Sequence, residues 1–368
     1  MSASPDIAIL LDHFGSGGVE RVACHLANGL QRRGFRVEMV VVDDSGPIRH
    51  LLDEAVAVAR LVAPGSARRS RRMKAAVPAL AEYLRRRAPR ILHSPGNHLN
   101  RPAAMAVSLA RFPGAFVAKV TNPLDKDRGT WFRRYLRMLA LRWALRRARL
   151  VLTLSDSAAD RIAKADPRLA KRIRVVHNPY VSERMIRAAA DRAPADPPII
   201  LAIGRLSEQK NHALLLRVAA RLDNRDWRLR ICGTGPEEGA LRSLARDLGI
   251  ADRVTLAGFI DDPLPEYLAA KVMALPSRWE GLPATAVEAI ACGCPVIATA
   301  SSQGLVDLLE EVGASPPVAP GDEAGLAEAL RATLDDALPA VPSSAALPYS
   351  IEAACDEHAA VFAELLGR

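Results

Sequence analysis

Aromatic side chains make up only 4% of this 368-residue chain, and its five cysteines, at 24, 232, 292, 294 and 355, include no CxxC pair. So few aromatics leave little material for stacking nucleobases. An odd number of scattered thiols argues against a disulfide framework or a zinc module and suits a reducing compartment. Nowhere do about 18 apolar residues run together without a charge, so no membrane-spanning helix is expected. The opening Met1-Ser2-Ala3-Ser4-Pro5-Asp6 lacks the basic and apolar regions of a signal peptide, and a cytoplasmic protein is expected. What remains is ordinary for a folded chain: 49% hydrophobic and 25% charged residues, which excludes wholesale disorder. At ~150 residues per domain the length predicts about two domains.

Strand and helix patterns alternate along the chain. Ile7-Ala8-Ile9-Leu10-Leu11 reads as a strand, Val19 to Leu30 as a helix and Val37 to Val42 as a strand, and the rhythm continues to Ala300. Such alternation predicts α/β architecture with parallel sheets covered by helices on both faces. Both periodicities break at Ala188 to Pro198. The expected organisation is a first Rossmann-like domain over 1–187, a linker over 188–198 and a second Rossmann-like domain over 199–350, facing each other across a cleft.

The richest segment is Ser277-Arg278-Trp279-Glu280-Gly281-Leu282-Pro283-Ala284-Thr285-Ala286-Val287-Glu288, directly after the apolar run Val272 to Pro276. It reads as strand, tight loop and helix, with Pro283 suited to the first helical turn. The amides around Gly281 and Leu282 would then form an anion-binding helix start. Glu280 and Glu288 can each accept hydrogen bonds from hydroxyls. A second strand-loop-helix unit, Ile199 to Ile203 followed by Gly204-Arg205-Leu206-Ser207-Glu208-Gln209-Lys210-Asn211, sets two cations at the carboxyl end of a strand. Ligands of open parallel sheets bind there. A guanidinium beside an ammonium suits a diphosphate. A third loop, Asp12-His13-Phe14-Gly15-Ser16-Gly17-Gly18-Val19, offers close backbone approach at a helix start. Its G-x-G-G spacing departs from the dinucleotide fingerprint despite Asp43 and Asp44 after the second strand.

Together these segments resemble glycosyltransferase family 4, the retaining, nucleotide-sugar-dependent enzymes of the GT-B fold. Gly204-Arg205-Leu206 with Lys210 is similar to that family's diphosphate clamp, and Glu280 through Glu288 to its paired-glutamate signature. Ile231 to Pro236, Val254 to Phe259 and Ala291 to Thr299 also match, in the family's order. The likeness is strongest over Ile199 to Thr299, moderate over Val151 to Tyr180 and weaker in the first half.

The resemblance implies a hexosyltransferase that moves a sugar from a nucleoside-diphosphate sugar to an acceptor hydroxyl, in polysaccharide, lipopolysaccharide or glycolipid synthesis. Arg205, Lys210 and Glu280 would be catalytic, the cations stabilising the departing diphosphate. Glu280, with the Gly281 and Leu282 amides, would position the donor sugar, Glu288 would hold the ribose, and Gly17, Gly18 and Gly204 would border the donor. It also implies that the last helix, about Ile351 to Leu366, returns with residues 351–368 to the first domain. Where many members carry a histidine in a Thr-x-His setting, the comparable stretch is Phe116 to Pro123 with Asn122 in the histidine's place, so Asn122 would stand on the acceptor side without a proton-accepting ring. His93 and His98 are the other acceptor-side candidates, and His13 lies nearby in sequence. No cofactor or metal is expected; Asp125-Lys126-Asp127 has D-x-D form but reads as a turn.

The net charge is +9, with arginines clustered at 68–74, 85–90 and 128–149. On a helical wheel Trp131, Phe132, Tyr135, Leu136, Leu139 and Trp143 share one side, opposite Arg133, Arg134 and Arg137. The expected arrangement packs that stripe against the core and leaves the arginines in solvent. The alternative is a basic amphipathic helix on an anionic membrane surface, with a lipid-linked glycan as acceptor. A nucleotide-sugar epimerase of the same fold and, from another class, a basic nucleic-acid-binding protein are the rival functions. Nucleic acid is not the expected partner, because the arginine clusters lie apart from the glutamate-bearing segment.

Overall fold

The computed structural model describes residues 4–61, 69–122, 131–222, 226–336 and 341–368; Asp125-Lys126-Asp127 lies outside them. The chain forms two compact units, Met1–Pro179 with Ile351–Arg368, and Tyr180–Ser350.

The first unit is built on a parallel sheet of β1 (Ile7–Leu11), β2 (Val37–Val41), β3 (Ala57–Arg60), β4 (Ile91–Ser94), β5 (Ala115–Lys119), β6 (Leu150–Thr153) and β7 (Ile173–Val175), in the order β3-β2-β1-β4-β5-β6-β7. The strand period of two divides each apolar run between two cores. Ile7, Ile9 and Leu11 of β1 enter one, and Ala8 and Leu10 enter the other. Burial on both faces explains why β1 is continuously hydrophobic rather than alternating.

The second unit repeats the scheme with β8 (Ile199–Ile203), β9 (Arg228–Cys232), β10 (Val254–Gly258), β11 (Ala270–Leu275) and β12 (Val296–Ala298), in the order β10-β9-β8-β11-β12. In both sheets the first strand lies between the second and the fourth, so the chain reverses its direction of travel there. That reversal opens a crevice at the carboxyl ends of β1 and β4, and of β8 and β11, where ligands of such sheets bind.

The division between the units falls at Pro179/Tyr180. Residues 188–198, where the composition breaks, belong to the second unit: Arg192 donates to the carbonyls of Ala270 and Lys271, and the Ala195 amide donates to Ala269. Loss of periodicity there marks an irregular strap bonded to β11 through its backbone, a pattern composition does not register.

The helix Ile351–Leu366 packs on the first unit beside the helix Gly18–Arg32. Cys355, Phe362 and Leu366 complete the core cluster that holds Ile7, Ile9 and Leu11. Close approach depends on Gly29, where a Cβ would collide with Cys355 Sγ. Charge fixes the register: Arg33 reaches Asp356 at 2.7 Å and Glu352 at 2.9 Å, and His177 Nδ1 lies 2.8 Å from Glu357. Beneath the helix, the fully buried Lys119 donates to Asn178 Oδ1 and to His358 Nε2 at 2.9 Å. His358 Nδ1 lies 2.7 Å from the Ala354 carbonyl, which assigns the proton to that nitrogen and leaves Nε2 as the acceptor. Burial brings Lys119 down to about 7, the nearby Glu357 opposing it, and burial with the Lys119 charge holds His358 well below its usual range.

One expected packing is reversed. The helix Trp131–Arg147 buries Ala144 and Leu145, while Trp131, Phe132, Tyr135, Leu136, Leu139 and Trp143 are exposed, Trp131 at 78%. Ala144 and Leu145, with Leu141 beside them, take the contact with the core, and its aromatics face solvent. A helical wheel identifies a stripe, not the side that has a partner.

Two outcomes follow from the clasp around the last helix. Gly29→Val should lower unfolding free energy by roughly 1–3 kcal/mol through overpacking against Cys355, measured by urea denaturation. Lys119, depressed from 10.5 to about 7, binds its proton more weakly folded than unfolded, so its contribution to stability grows as pH rises through that interval. Lys119→Met should flatten the stability–pH curve there by at most roughly 1 kcal/mol per pH unit relative to the parent, and parallel curves would contradict the assignment.

Candidate active site

β8 and β11 are parallel neighbours, with Ile200 beside Val272 and Leu201 beside Met273. Their carboxyl ends therefore emerge side by side, and the loops that follow carry the two motifs singled out from sequence. β8 runs into Gly204, whose amide bonds the Cys232 carbonyl at 2.9 Å, and the Leu206 amide bonds Thr234 at 3.0 Å. These bonds press the Gly204–Asn211 loop onto the turn after β9. The approach is so close that a Cβ on Gly233 would strike the Gly204 carbonyl, and one on Gly235 the Leu206 carbonyl. At Gly204 itself a Cβ would come within 2.9 Å of Lys210 Cε, so the lysine stem lies across the glycine.

Laid down this way, Lys210 Nζ meets Glu280 Oε1 at 2.8 Å, with the two side chains 17% and 7% exposed. Ser277 Oγ donates to the same oxygen at 2.9 Å, and Gln209 Nε2 donates to Oε2 at 3.3 Å and to the Trp279 carbonyl at 3.1 Å. The Arg278 amide bonds the Gln209 carbonyl at 2.8 Å, joining the two loops through backbone as well. A carboxylate has about four acceptor sites, and three are filled from within the protein. Glu280 is thus held in one orientation with little capacity left, while the ammonium keeps donors for an anion. Arg205 is exposed on the same loop.

Glu288 is also buried, and Tyr267 OH donates to its Oε2 at 2.7 Å. Burial, and after it the Glu288 charge, raises the Tyr267 hydroxyl well above its ordinary value, so it stays a donor. Pro283 stands at the N-cap of the helix Ala284–Ala291, one position before the first turn expected for it. The preceding loop is tied by its carbonyls: Ser302 Oγ donates to Gly281, and Tyr180 OH donates to Leu282 at 3.0 Å. With their carbonyls anchored, the Gly281 and Leu282 amides form no hydrogen bond among the described residues.

In the first unit Gly17 caps the helix Gly18–Arg32, and a Cβ on it would collide with Glu20 Oε2. The Glu20 carboxylate thus sits at the helix start, beside the glycines expected to border the donor. Asn122 is half-buried, its carbonyl accepting from Asn97 Nδ2 at 3.0 Å while Asn97 Oδ1 accepts the Thr121 amide at 2.7 Å. His98 is exposed in the first turn of the helix Asn97–Ala110. His93 is a correction: it is fully buried in β4, its ring 5.6 Å from that of Phe362, and burial brings it down to about 3. A ring enclosed between β4 and the last helix cannot meet an acceptor, and its neutrality reflects core packing.

Sequence reasoning passed over Gln209, Ser277, Tyr267 and His212. Gln209 and Ser277 were within reach, one adjacent to Lys210 and the other three residues before Glu280. Tyr267 stands 21 positions from Glu288 and carried no local signal. His212 is buried under the loop; burial first, then the Lys210 charge, brings it down to about 4, so it is neutral.

The family model described as "Glycosyl transferases group 1" matches residues 185–346, and that described as "Glycosyltransferase Family 4" matches residues 16–184. Among curated relatives, a lipopolysaccharide core biosynthesis glycosyltransferase of Rhizobium meliloti is 29% identical over 88% of both chains. N-acetylgalactosamine-N,N'-diacetylbacillosaminyl-diphospho-undecaprenol 4-alpha-N-acetylgalactosaminyltransferase of Campylobacter jejuni is 25% identical over 90% of both. The match to 2-deoxystreptamine glucosyltransferase of Streptomyces kanamyceticus, at 31% identity, spans about half of that relative, 54% of its length. Of solved structures, Anabaena Alr3699/HepE in complex with UDP and glucose superposes with a TM-score of 0.74 at 19% identity, covering 99% of this chain and 98% of that one, which fixes the fold as GT-B. With paired cation and carboxylate loops in one half and both halves matched in order, the chain belongs to the group 1 glycosyltransferases of family 4 and is a glycosyltransferase.

Proposed function

We propose that this enzyme transfers a hexosyl group, with retention, from a nucleoside-diphosphate sugar to a hydroxyl of a sugar or lipid-linked glycan in cell-envelope polysaccharide or lipopolysaccharide synthesis. The observation that carries the reading is the Lys210–Glu280 pair at the adjoining carboxyl ends of β8 and β11. In the proposed step the bond from the anomeric carbon to the diphosphate oxygen breaks and a bond from the acceptor oxygen to that carbon forms. The acceptor's proton passes to the departing diphosphate on the same face, so no enzyme base is required and Asn122 in place of a histidine is no obstacle.

Arg205 and Lys210 oppose the charge growing on the leaving group, where fixed electrostatic stabilisation has most effect. Glu280 holds the ammonium at its post and offers its remaining acceptor site to a donor hydroxyl. In this reading the Gly281 and Leu282 amides assist near the sugar or its phosphate, and Glu288, oriented by Tyr267, accepts from the ribose. No metal or other cofactor enters this scheme. The acceptor is read as a glycan presented at an anionic membrane surface on the cytoplasmic side; support comes from the arginine clusters and from the diphospho-undecaprenol substrate in a relative's name. Nucleic acid has no part in it.

The test is a screen of UDP-, GDP- and ADP-sugars for donor hydrolysis and transfer, with the product anomer read by NMR. One donor class should be turned over with its anomeric configuration kept; interconversion of the nucleotide sugar without acceptor would replace transfer by epimerisation. With that donor, Lys210→Ala should lower turnover on the order of 10²-fold or more. Tyr267→Phe should raise KM for the donor by about 3- to 10-fold with little change in kcat, from loss of one buried hydrogen bond to the ribose-holding carboxylate.

A further inference from the structure

Of the ten large hydrophobic side chains exposed among the described residues, eight lie on two helices of the first unit, Met105 and Leu109 on Asn97–Ala110 and the rest on Trp131–Arg147. The two helices pack on each other, so the residues belong to one neighbourhood. Exposed apolar residues scattered singly need no explanation, but a concentration of this kind marks an interaction site. Phe132, Tyr135, Leu136, Leu139 and Trp143 recur at intervals of three and four, which aligns them along one side of the helix. We propose that this face is a membrane-docking surface whose occupant is an anionic lipid bilayer, with the Trp131–Arg147 helix lying in the headgroup layer. The inference rests on the reading above of a membrane-presented acceptor and assigns that contact to a defined surface.

Charge selects the bilayer over other occupants. From Trp131 to Arg149 the chain has seven arginines and no acidic residue, and from Asn97 to Pro123 it has no acidic residue either. The two acids between these stretches, Asp125 and Asp127, lie outside the described residues; among the described residues Asp166 meets the helix, 2.6 Å from Arg146 and 3.7 Å from Arg142. Arg137, Arg147 and Arg149 are exposed, as are Arg101 and Arg111 at the two ends of the partner helix. Arg147 stacks on Trp143 with its guanidinium carbon 5.4 Å from the ring centre, so one cation rides on the aromatic stripe itself. A second copy docked face to face on this surface would bring its exposed arginines against their own counterparts. A bilayer answers both halves of the surface: tryptophan and tyrosine settle at the headgroup boundary, and anionic lipids attract flanking arginines. Basic helices with an aromatic face lie in that layer without crossing it, and none of the described helices is long and apolar enough to cross.

The experiment is flotation of the full chain with phosphatidylcholine–phosphatidylglycerol vesicles and with phosphatidylcholine alone at moderate salt. It is repeated on the triple variant Trp131→Ser, Tyr135→Ser, Leu136→Ser, whose fold is checked by circular dichroism. The parent should float with the anionic vesicles and much less with the neutral ones, and the variant should partition less by on the order of 10-fold or more. Binding of nucleoside diphosphate, followed by calorimetry on the same samples, should be equal in both proteins. Equal flotation of parent and variant, or none by the parent, overturns the membrane face and leaves the transferase reading intact. So does a parent that dimerises, or binds oligonucleotide, through the substituted residues without floating. Failure of the parent to bind any nucleoside diphosphate strikes the transferase reading instead.

Discussion

An ammonium and a carboxylate 2.8 Å apart, both mostly shielded from water, are expensive to assemble, because each sheds hydration that their mutual attraction only partly restores. Much of the second unit's local structure is arranged around that pair. Gly204 has no side chain where the Lys210 stem must pass, Gly233 has none where the Gly204 carbonyl must settle, and Ser277 and Gln209 fill acceptor sites on Glu280 that would otherwise stay bare. A hydrophobic pair of similar volume would serve stability as well or better. The ionic version makes sense as a device for presenting positive charge at a fixed place, and the sheet order that opens a crevice between β8 and β11 determines where that place is.

The parts of this arrangement legible in sequence were those encoded locally. The alternation of apolar runs and helical stripes forecast two parallel sheets, and the last helix lies at the residues expected for it. The Arg205–Lys210 and Glu280–Glu288 loops were conspicuous because glycine, proline and charge interrupt apolar strands. Features set by contacts between distant residues were not legible. The Tyr267–Glu288 bond joins two elements through the fold and leaves no trace in spacing. His93 reads as a polar residue at a strand end, and only the return of Phe362 from the end of the chain encloses it. Residues 188–198 lose periodicity because their bonds run through backbone and through one arginine to β11.

The returning helix shows the same division between pattern and partner. Its apolar residues predict a buried face, yet the first unit also places a lysine beneath it. Lys119 is tolerated there because Asn178 and a neutral His358 accept from it and Glu357 is near enough to favour its charge. Buried polar groups satisfied in this way specify one arrangement of the elements that carry them, since any slip of the helix would leave the ammonium without acceptors. Arg33 and Glu352 act in the same direction at the surface, where each exposed pair is worth little singly. The interior cluster carries the larger share of the specificity, and Gly29 allows the helices to come close enough to form it.

The scarcity of aromatic residues bears on the exposed helix of the first unit. A chain with four tryptophans could commit them all to its cores, as it does with Trp227, which is 1% exposed. Two of the four, Trp131 and Trp143, instead stand on one solvent-facing helix beside Phe132 and Tyr135. That placement does nothing for the fold, because the helix makes its core contact through Ala144 and Leu145 on the other side. Large apolar groups held in water weaken solubility and favour unwanted association. Their concentration at one place, flanked by the exposed Arg137, Arg147 and Arg149, is a cost that a partner on that face would offset. The anionic bilayer proposed above would be such a partner, apolar at depth and anionic at its surface.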